Sequence, residues 1–532
     1  MELTGTRQNK GMKLTKLVAT PLWRAELLPR ARTASVDAGT ASQLIHSVGG
    51  PGAMLVCIGP TILPSRGSIM RVRQTWSVVF AGLTAGGAVL VAQSTGSLLV
   101  TTVAIIFAAA LGAAQSPAPQ RLDARASDPA TMGWMVGAPP PTDKLIRFSD
   151  GSWFQFPQTR WSFSNVRQLM PTAVVRRGGG PVSPLPRVER AGIDALAFQP
   201  LGRTDSMTWE QSLATNYTDG ILILHRGRIV YERYFGALAA DRQHLAFSVT
   251  KSFVATVAAT LIAEGVLDER ATVSRYLPEL ASSGVGDATV RQLLDMTTGL
   301  DYTEDYADPK SPVWELSRAG GFLARPSDYR GPESFFEYLT TLRKSSPHGE
   351  KFAYKTVNTD TLGAVLSRVS RMSVSELLHA RIFSKLGAEH DAFFPVDSTG
   401  VEFAGGGLNL TLRDLARFGE LMRLEGRFNG QQIVPKAVVD DIRRGGDRAL
   451  FGQAGYKTLP GWSYRNMWWV SHNPHGAFTA RGIHGQGIYI DPAANMVIVR
   501  FASHPLGANS NYDATSLPAY DAVARYLMSS RQ

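Results

Sequence analysis

At 532 residues, 44% hydrophobic and 19% charged, the chain can form one large or two modest globular domains, which excludes collagen-like, coiled-coil and wholly disordered architectures. The formal charge is +11, but residues 1–75 hold ten Lys/Arg against three Asp/Glu, so +7 sits in that leader and only +4 in the rest. A nucleic-acid partner is therefore not implied, and the single cysteine, Cys57, leaves no disulfide, thiolate zinc site or thiol nucleophile for the body downstream.

Between Gln74 and Gln120 there is no charged residue, and two apolar runs, SVVFAGLTAGGAVLVAQ and SLLVTTVAIIFAAALGAAQ, follow Arg71 and Arg73. A basic flank, an apolar core and the small residues Gly112-Ala113-Ala114 have the layout of a secretory signal. Its distance from Met1 points to translation from Met70, with residues 1–69 an unstructured or mis-annotated leader and 70–120 a signal peptide or membrane anchor. A Gly/Ala-rich disordered stretch is the remaining alternative. The protein is expected to be exported, periplasmic or extracellular, with membrane contact, if any, through residues 77–114.

Residues 121–200 bracket an aromatic patch, FSDGSWFQFPQTRWSF, with GAPPPTD and RRGGGPVSPLP. Such a segment builds no core of its own and is expected to pack its aromatics on the main domain. From 201 to 532 the pattern changes. ILILHRGRIVYERYFG predicts a β-hairpin turning at His225-Arg226-Gly227. KSFVATVAATLIAEGVL has helical spacing, as do TVRQLLDM, TDTLGAVLSRVS, VSELLHARIFSKL, LRDLARFGELMRLEG and LPAYDAVARYLMS. GIYIDPAANMVIVRFAS predicts a second strand pair turning at Pro492 to Asn495. Strands at both ends with helices between them imply an α+β fold, one sheet assembled from the two extremities and flanked by helices, with a helical insert.

Ser248-Val249-Thr250-Lys251 opens the long helix. Residues three apart share a helix face, so the Lys251 amine can reach the Ser248 hydroxyl. A serine becomes nucleophilic when a neighbour takes its proton, and an amine does that once desolvation or nearby cations lower its pKa. The helix N-terminus adds free N–H groups for a developing negative charge. Against this, Ser-x-x-Lys arises by chance about once or twice in a chain this long, and a serine opening a helix is usually its cap. In FAYKTVNTDTLG, Tyr354 falls on a loop ahead of Asn358, Thr359 and Asp360, which look like the cap of the next helix. A phenol beside an ammonium is expected to have a depressed pKa, which would let Tyr354 relay a proton; the plainer alternative is a core tyrosine. ARGIHGQGIYIDP puts glycines at the entry to the last strand pair, where a backbone N–H can approach a carbonyl oxygen. His472, His475 and His484 are the only hint of a metal site, and neither His-Glu-x-x-His nor Gly-x-Ser-x-Gly occurs.

Together these features resemble the serine β-lactamase and penicillin-recognising family in its class C and esterase-like branch, above all the 6-aminohexanoate-dimer (nylon-oligomer) hydrolases. The similarity runs in order through RWSFSNVRQLMPTAVV, FSVTKS, VRQLLDMTTGLDYTEDYADP, FEYLTTLR, FAYKTVNTD, LRDLARFGELM, NMWWV and GIHGQGIYIDP. The resemblance implies a β-lactamase/transpeptidase-like fold with the site between sheet and helical domain. It makes Ser248 the acylated nucleophile, Lys251 and Tyr354 the proton-handling pair, and the N–H groups of Ser248 and Ile483 the oxyanion hole. Tyr306 matches a loop tyrosine that closes over substrate, and Trp469 matches a pocket wall. There are departures. Ala480-Arg481-Gly482 replaces Lys-Thr-Gly, with Arg481 a partial substitute for the lost ammonium. Thr356 replaces the asparagine two residues after the tyrosine, and Ser317 stands where an acid holds the substrate ammonium. The expected function is acyl-enzyme hydrolysis of small esters or amides without cofactor or metal. A non-catalytic cell-wall-binding or penicillin-binding protein of the same fold is the alternative.

Overall fold

Residues 219–225 read DGILILH, an apolar run without polar alternation, and the computed structural model buries it on two faces. Strand β1 (Thr218–His225) turns at Arg226 and Gly227, whose φ angles of 52° and 74° are both positive as a type I′ turn demands, into β2 (Arg228–Tyr234). Five strands follow from the far end of the chain. They are β3 (Ser463–Arg465), β4 (Trp468–Val470), β5 (Phe478–Gly482), β6 (Gln486–Asp491) and β7 (Met496–Ala502). All seven form one antiparallel sheet in the order β3-β4-β5-β6-β7-β1-β2, and β7 closes the two extremities together with Met496 opposite His225. Leu222 and Leu224 enter the larger core with Val497 and Val499, whereas Ile221 and Ile223 enter a second cluster with Ile498 and Val523. The two-residue alternation is therefore real but invisible in the sequence, because both faces are dry.

Helix α1 (Val249–Ala263) is buried at every position from Val249 to Leu261, as an interior helix apolar on all sides must be. Ser252 Oγ donates to the Met467 carbonyl (2.7 Å) and Trp468 Nε1 to Thr256 Oγ1 (3.3 Å), which ties α1 to the head of β4. The helical insert carries α2 (Pro312–Ala319) and α3 (Thr356–Ser370); α4 (Leu412–Arg423) and the terminal α5 (Ser510–Ser529) complete the cover. A smaller antiparallel sheet runs Thr172–Val175, Ala392–Pro395, Asn409–Leu410, His244–Leu245 in spatial order. The segment before residue 200 thus supplies a strand, and it also sends Trp153 and Phe163, both fully buried, into the core.

One local expectation fails. Asn358, Thr359 and Asp360 do not cap the following helix, which begins at Thr356 with Lys355 at the cap position. All three are buried: Thr298 Oγ1 donates to Asn358 Oδ1 (2.8 Å), and the Gly405 N–H donates to Asp360 Oδ1 (2.8 Å).

The chain divides into residues 1–119 and 120–532, and the described residues are 55–60, 76–83, 89–94 and 121–529. The first unit holds a three-stranded antiparallel sheet, Leu55–Pro60, Trp76–Leu83 and Val89–Ser94, with the second of these in the centre. Two of its strands fall in the uncharged stretch read as an export signal or anchor; the remainder of that stretch lies outside the described residues.

Trp153 packs against Phe148, Phe154 and Phe322 at ring separations of 6.5, 5.1 and 5.0 Å. Trp153→Ala is expected to cost the larger unit about 3–5 kcal/mol. Urea denaturation reads this as a lowered midpoint, and an unchanged midpoint would contradict the packing.

Candidate active site

Ser248 occupies the cap position of α1, yet its side chain makes no capping hydrogen bond, so the hydroxyl is not consumed by the role that serine most often plays there. The preceding Phe247 has a φ of 45°, a left-handed conformation costly for a bulky residue and one that clusters at functional sites. One turn on, the Lys251 ammonium is buried and donates to Ser248 Oγ (3.0 Å), Thr356 Oγ1 (3.0 Å) and the Gly405 carbonyl (2.5 Å). Burial takes its pKa down from 10.5 to about 8, against the upward pull of the Glu304 and Asp360 carboxylates. Desolvation thus supplies the weakening that the spacing alone could only allow.

Tyr354 comes from the loop ahead of α3, and the Lys251 nitrogen lies 5.1 Å from its ring centroid. Its hydroxyl is not depressed as expected. Burial and the Glu304 carboxylate push it well above the ordinary phenol value, and hydrogen bonding with Ser248 offsets only part of this. The ring stacks on Trp469 at 5.6 Å, and Trp469 meets Tyr456 (5.3 Å) and Tyr464 (5.1 Å) edge-on, so one side of the site is an aromatic wall. Glu304 reaches in from the loop before α2. It accepts the Tyr306 hydroxyl at 2.5 Å through one oxygen and the Thr356 N–H through the other.

The remaining expected groups converge on the same place. A cleft of about 1220 Å³ is lined by Ser248, Tyr306, Tyr354, Trp469, Arg481 and Ile483, among others. Gly482, at the end of β5, lies against the start of α1: a Cβ there would stand 2.7 Å from the Ala246 carbonyl and 3.1 Å from the Ser248 nitrogen. Only glycine lets the strand come this near, and Ile483, the next residue, lines the same cleft as Ser248.

Two substitutions noted in the sequence acquire a physical reading. Arg481 is ion-paired with Asp513 and lies 5.3 Å from the Trp469 ring, so its charge is neutralised rather than presented free. Ser317 is buried in α2 with its hydroxyl donating back to Val313 (2.8 Å), away from the cleft lining. The histidines are held separately: His472 by Ser463 (2.7 Å), His475 by Asp491 (2.7 Å) and His484 by the His504 carbonyl (2.7 Å). Among the described residues no three His, Cys, Asp or Glu groups are placed to hold a metal ion.

The family described as Beta-lactamase matches residues 211–517, more than half the chain. The chain belongs to the β-lactamase family. It is 38% identical over 355 residues to the 6-aminohexanoate-dimer hydrolase of Paenarthrobacter ureafaciens, across 66% of this chain and 88% of that protein. A solved Bacillus anthracis structure, provisionally described as a 6-aminohexanoate-dimer hydrolase, superposes with a TM-score of 0.67 at 30% identity, covering 74% of this chain and all of that one. A β-lactamase of Providencia stuartii is 26% identical over 143 residues, 27% of this chain and 32% of that enzyme. As a member of this family with these relatives, the protein is a β-lactamase-fold hydrolase.

Four groups of this β-lactamase-family site were not singled out from sequence. Glu304 stands two residues before Tyr306, in a loop read for its tyrosine alone. Thr356 was noted only as a missing asparagine. Gly405 carries no side-chain signal, and Asp360 was assigned to a cap. Gly405 joins Asp360 to the amine: its carbonyl accepts from Lys251 and its N–H donates to Asp360. A Cβ at Gly405 would fall 2.4 Å from Thr356 Cγ2 and 2.9 Å from Asp360 Oδ2. Gly405→Ala is therefore expected to displace Lys251 and lower the acylation rate about 100-fold in protein that remains folded by circular dichroism; wild-type acylation would contradict the bridge.

Proposed function

We propose that this hydrolase cleaves small linear esters and amides through an acyl-enzyme on Ser248. The observation that carries the proposal is the buried Lys251 amine 3.0 Å from a serine hydroxyl that caps nothing. Neutral Lys251 takes the Ser248 proton as Oγ bonds to the substrate carbonyl carbon, and the N–H groups of Ser248 and Ile483 receive the oxyanion. Tyr354, whose phenol burial keeps protonated, gives its proton to the departing alkoxide or amine and is resupplied by the Lys251 ammonium. Water then attacks the acyl carbon, one of its protons returns to Ser248 through the same pair, and the acid leaves. This division of labour, with amine as base and phenol as acid, is supported by the opposite directions in which burial moves the two groups.

Tyr306 and Trp469 bound the substrate chain: the first is held by Glu304 at the cleft, and the second forms the wall behind Tyr354. Amide cleavage of the 6-aminohexanoate type is supported by the relatives' names, and esterase action by the shared chemistry of the acyl step. Lactam antibiotics are poorer substrates in this reading, because Arg481 has its charge matched by Asp513. Export rests on the uncharged stretch behind Arg71 and Arg73.

A fluorophosphonate probe should label the full chain on Ser248, and Ser248→Ala and Lys251→Arg should each reduce labelling at least 1,000-fold, since an arginine keeps the charge but cannot accept a proton. An adduct on another residue, or labelling that survives Lys251→Arg, would refute the mechanism. With p-nitrophenyl butyrate, a linear 6-aminohexanoate oligomer and nitrocefin in parallel, turnover of nitrocefin is expected to be at least about 100-fold below that of the ester. Comparable turnover would overturn the substrate reading.

A further inference from the structure

A second cavity of about 560 Å³ shares no lining residue with the cleft. One wall is a stripe of α3, with Asp360, Ala364 and Ser367 at helical spacing, and Arg371 follows the helix at its left-handed cap. Phe335, Leu339 and Val374 supply apolar surface. Two carboxylates line this space while being almost wholly buried, Asp360 at 5% exposure and Glu402 at 4%. Glu402 accepts from the Ser375 N–H (3.0 Å) and hydroxyl (2.5 Å). Asp360 accepts the Gly405 N–H through Oδ1, but its buried Oδ2 has no partner. Among the described residues neither acid is in an ion pair, although a buried carboxylate is costly without a donor or cation beside it. Among the described residues the cation acting on Asp360 is Lys251, and its three N–H groups are committed to Ser248, Thr356 and Gly405.

The other end of the stripe has the opposite sign. Arg368 is paired with Glu279 (2.8 Å), but the exposed Arg371 guanidinium has no partner among the described residues. From Asp360 to the end of α3 at Ser370 is ten residues, about 15 Å along the helix axis, and Arg371 comes next. Unsatisfied acid at depth, apolar walls and free cation at the rim describe the complement of one ligand class.

We propose that this cavity binds a linear ω-amino acid, its ammonium against Asp360 and Glu402, its methylene chain along α3, Phe335, Leu339 and Val374, and its carboxylate at Arg371. Occupancy would reach the Lys251 amine through a single residue, since Gly405 donates to Asp360 through its N–H and accepts from Lys251 through its carbonyl. The site is separate from the cleft and does not depend on what the cleft hydrolyses.

Isothermal titration of 6-aminohexanoate into the full chain tests this, with hexylamine and hexanoate as half-ligands. Binding is expected to be submillimolar, at least tenfold weaker for either half-ligand, and retained in Ser248→Ala. Ala364→Phe, which fills the cavity, and the surface variant Arg371→Gln should each weaken it at least tenfold. Absence of binding at about 10 mM would overturn the proposal, as would unchanged affinity in Ala364→Phe. Weakening in Ala364→Phe with none in Arg371→Gln would overturn the placement of the carboxylate end. Loss of binding in Ser248→Ala would place the ligand in the cleft instead.

Discussion

An ammonium removed from water is the constraint around which the larger unit is organised. Lys251 is held in the interior by three oxygen acceptors, from its own helix, from the first residue of α3 and from a loop 154 residues later in sequence. Those bonds satisfy the protonated amine, but none provides a carboxylate in direct contact, so its charge remains expensive. That imbalance keeps the proton loosely held, which a base must have near neutral pH. The same burial acts with opposite chemical effect on Tyr354, whose charged form is the phenolate and which therefore keeps its proton. In the proposed mechanism one physical cause thus prepares both an acceptor and a donor for a single serine hydroxyl.

The fold serves this by bringing distant segments to a rigid helix start. Helix α1 cannot move without disturbing a core that surrounds it, and β5 is brought against its first turn by the absence of a side chain at Gly482. Gly405 is the second point where missing bulk matters, because one residue there serves Lys251 through its carbonyl and Asp360 through its N–H. Burial pushes Asp360 up from the usual carboxylate range, and the nearby Lys251 pulls it down. The two groups are consequently sensitive to each other, and to anything that reaches Asp360 from behind.

What the sequence disclosed followed from how local the information was. Ser248 and Lys251 are legible because one helix fixes their relation, and the sheet is legible because its hairpins announce their turns at Arg226-Gly227 and before Met496. Tyr354 was read from its loop as a proton relay, Tyr306, Trp469 and Ile483 were reached through resemblance to a family, and the structure brings all four to one cleft. Glu304 and Gly405 depend on tertiary contacts 52 and 154 residues long, for which no spacing rule exists. The polar triplet Asn358-Thr359-Asp360 imitates a cap because caps and buried polar networks draw on the same short side chains; the loops holding Thr298 and Gly405 decide between them. The expected depression of the Tyr354 pKa considered only the neighbouring ammonium and left out burial and Glu304, which outweigh it.

The central claim is that desolvation, rather than a partner histidine or metal, prepares the amine that activates Ser248. Its most direct test is the pH dependence of single-turnover acylation of the full chain by a p-nitrophenyl ester. A base that must be neutral gives a rate rising about tenfold per pH unit below its pKa and level above it. The account predicts that the break falls near pH 8, where burial places Lys251. A break near the ordinary lysine value of 10.5, or a rate independent of pH between about 6 and 9, would contradict it.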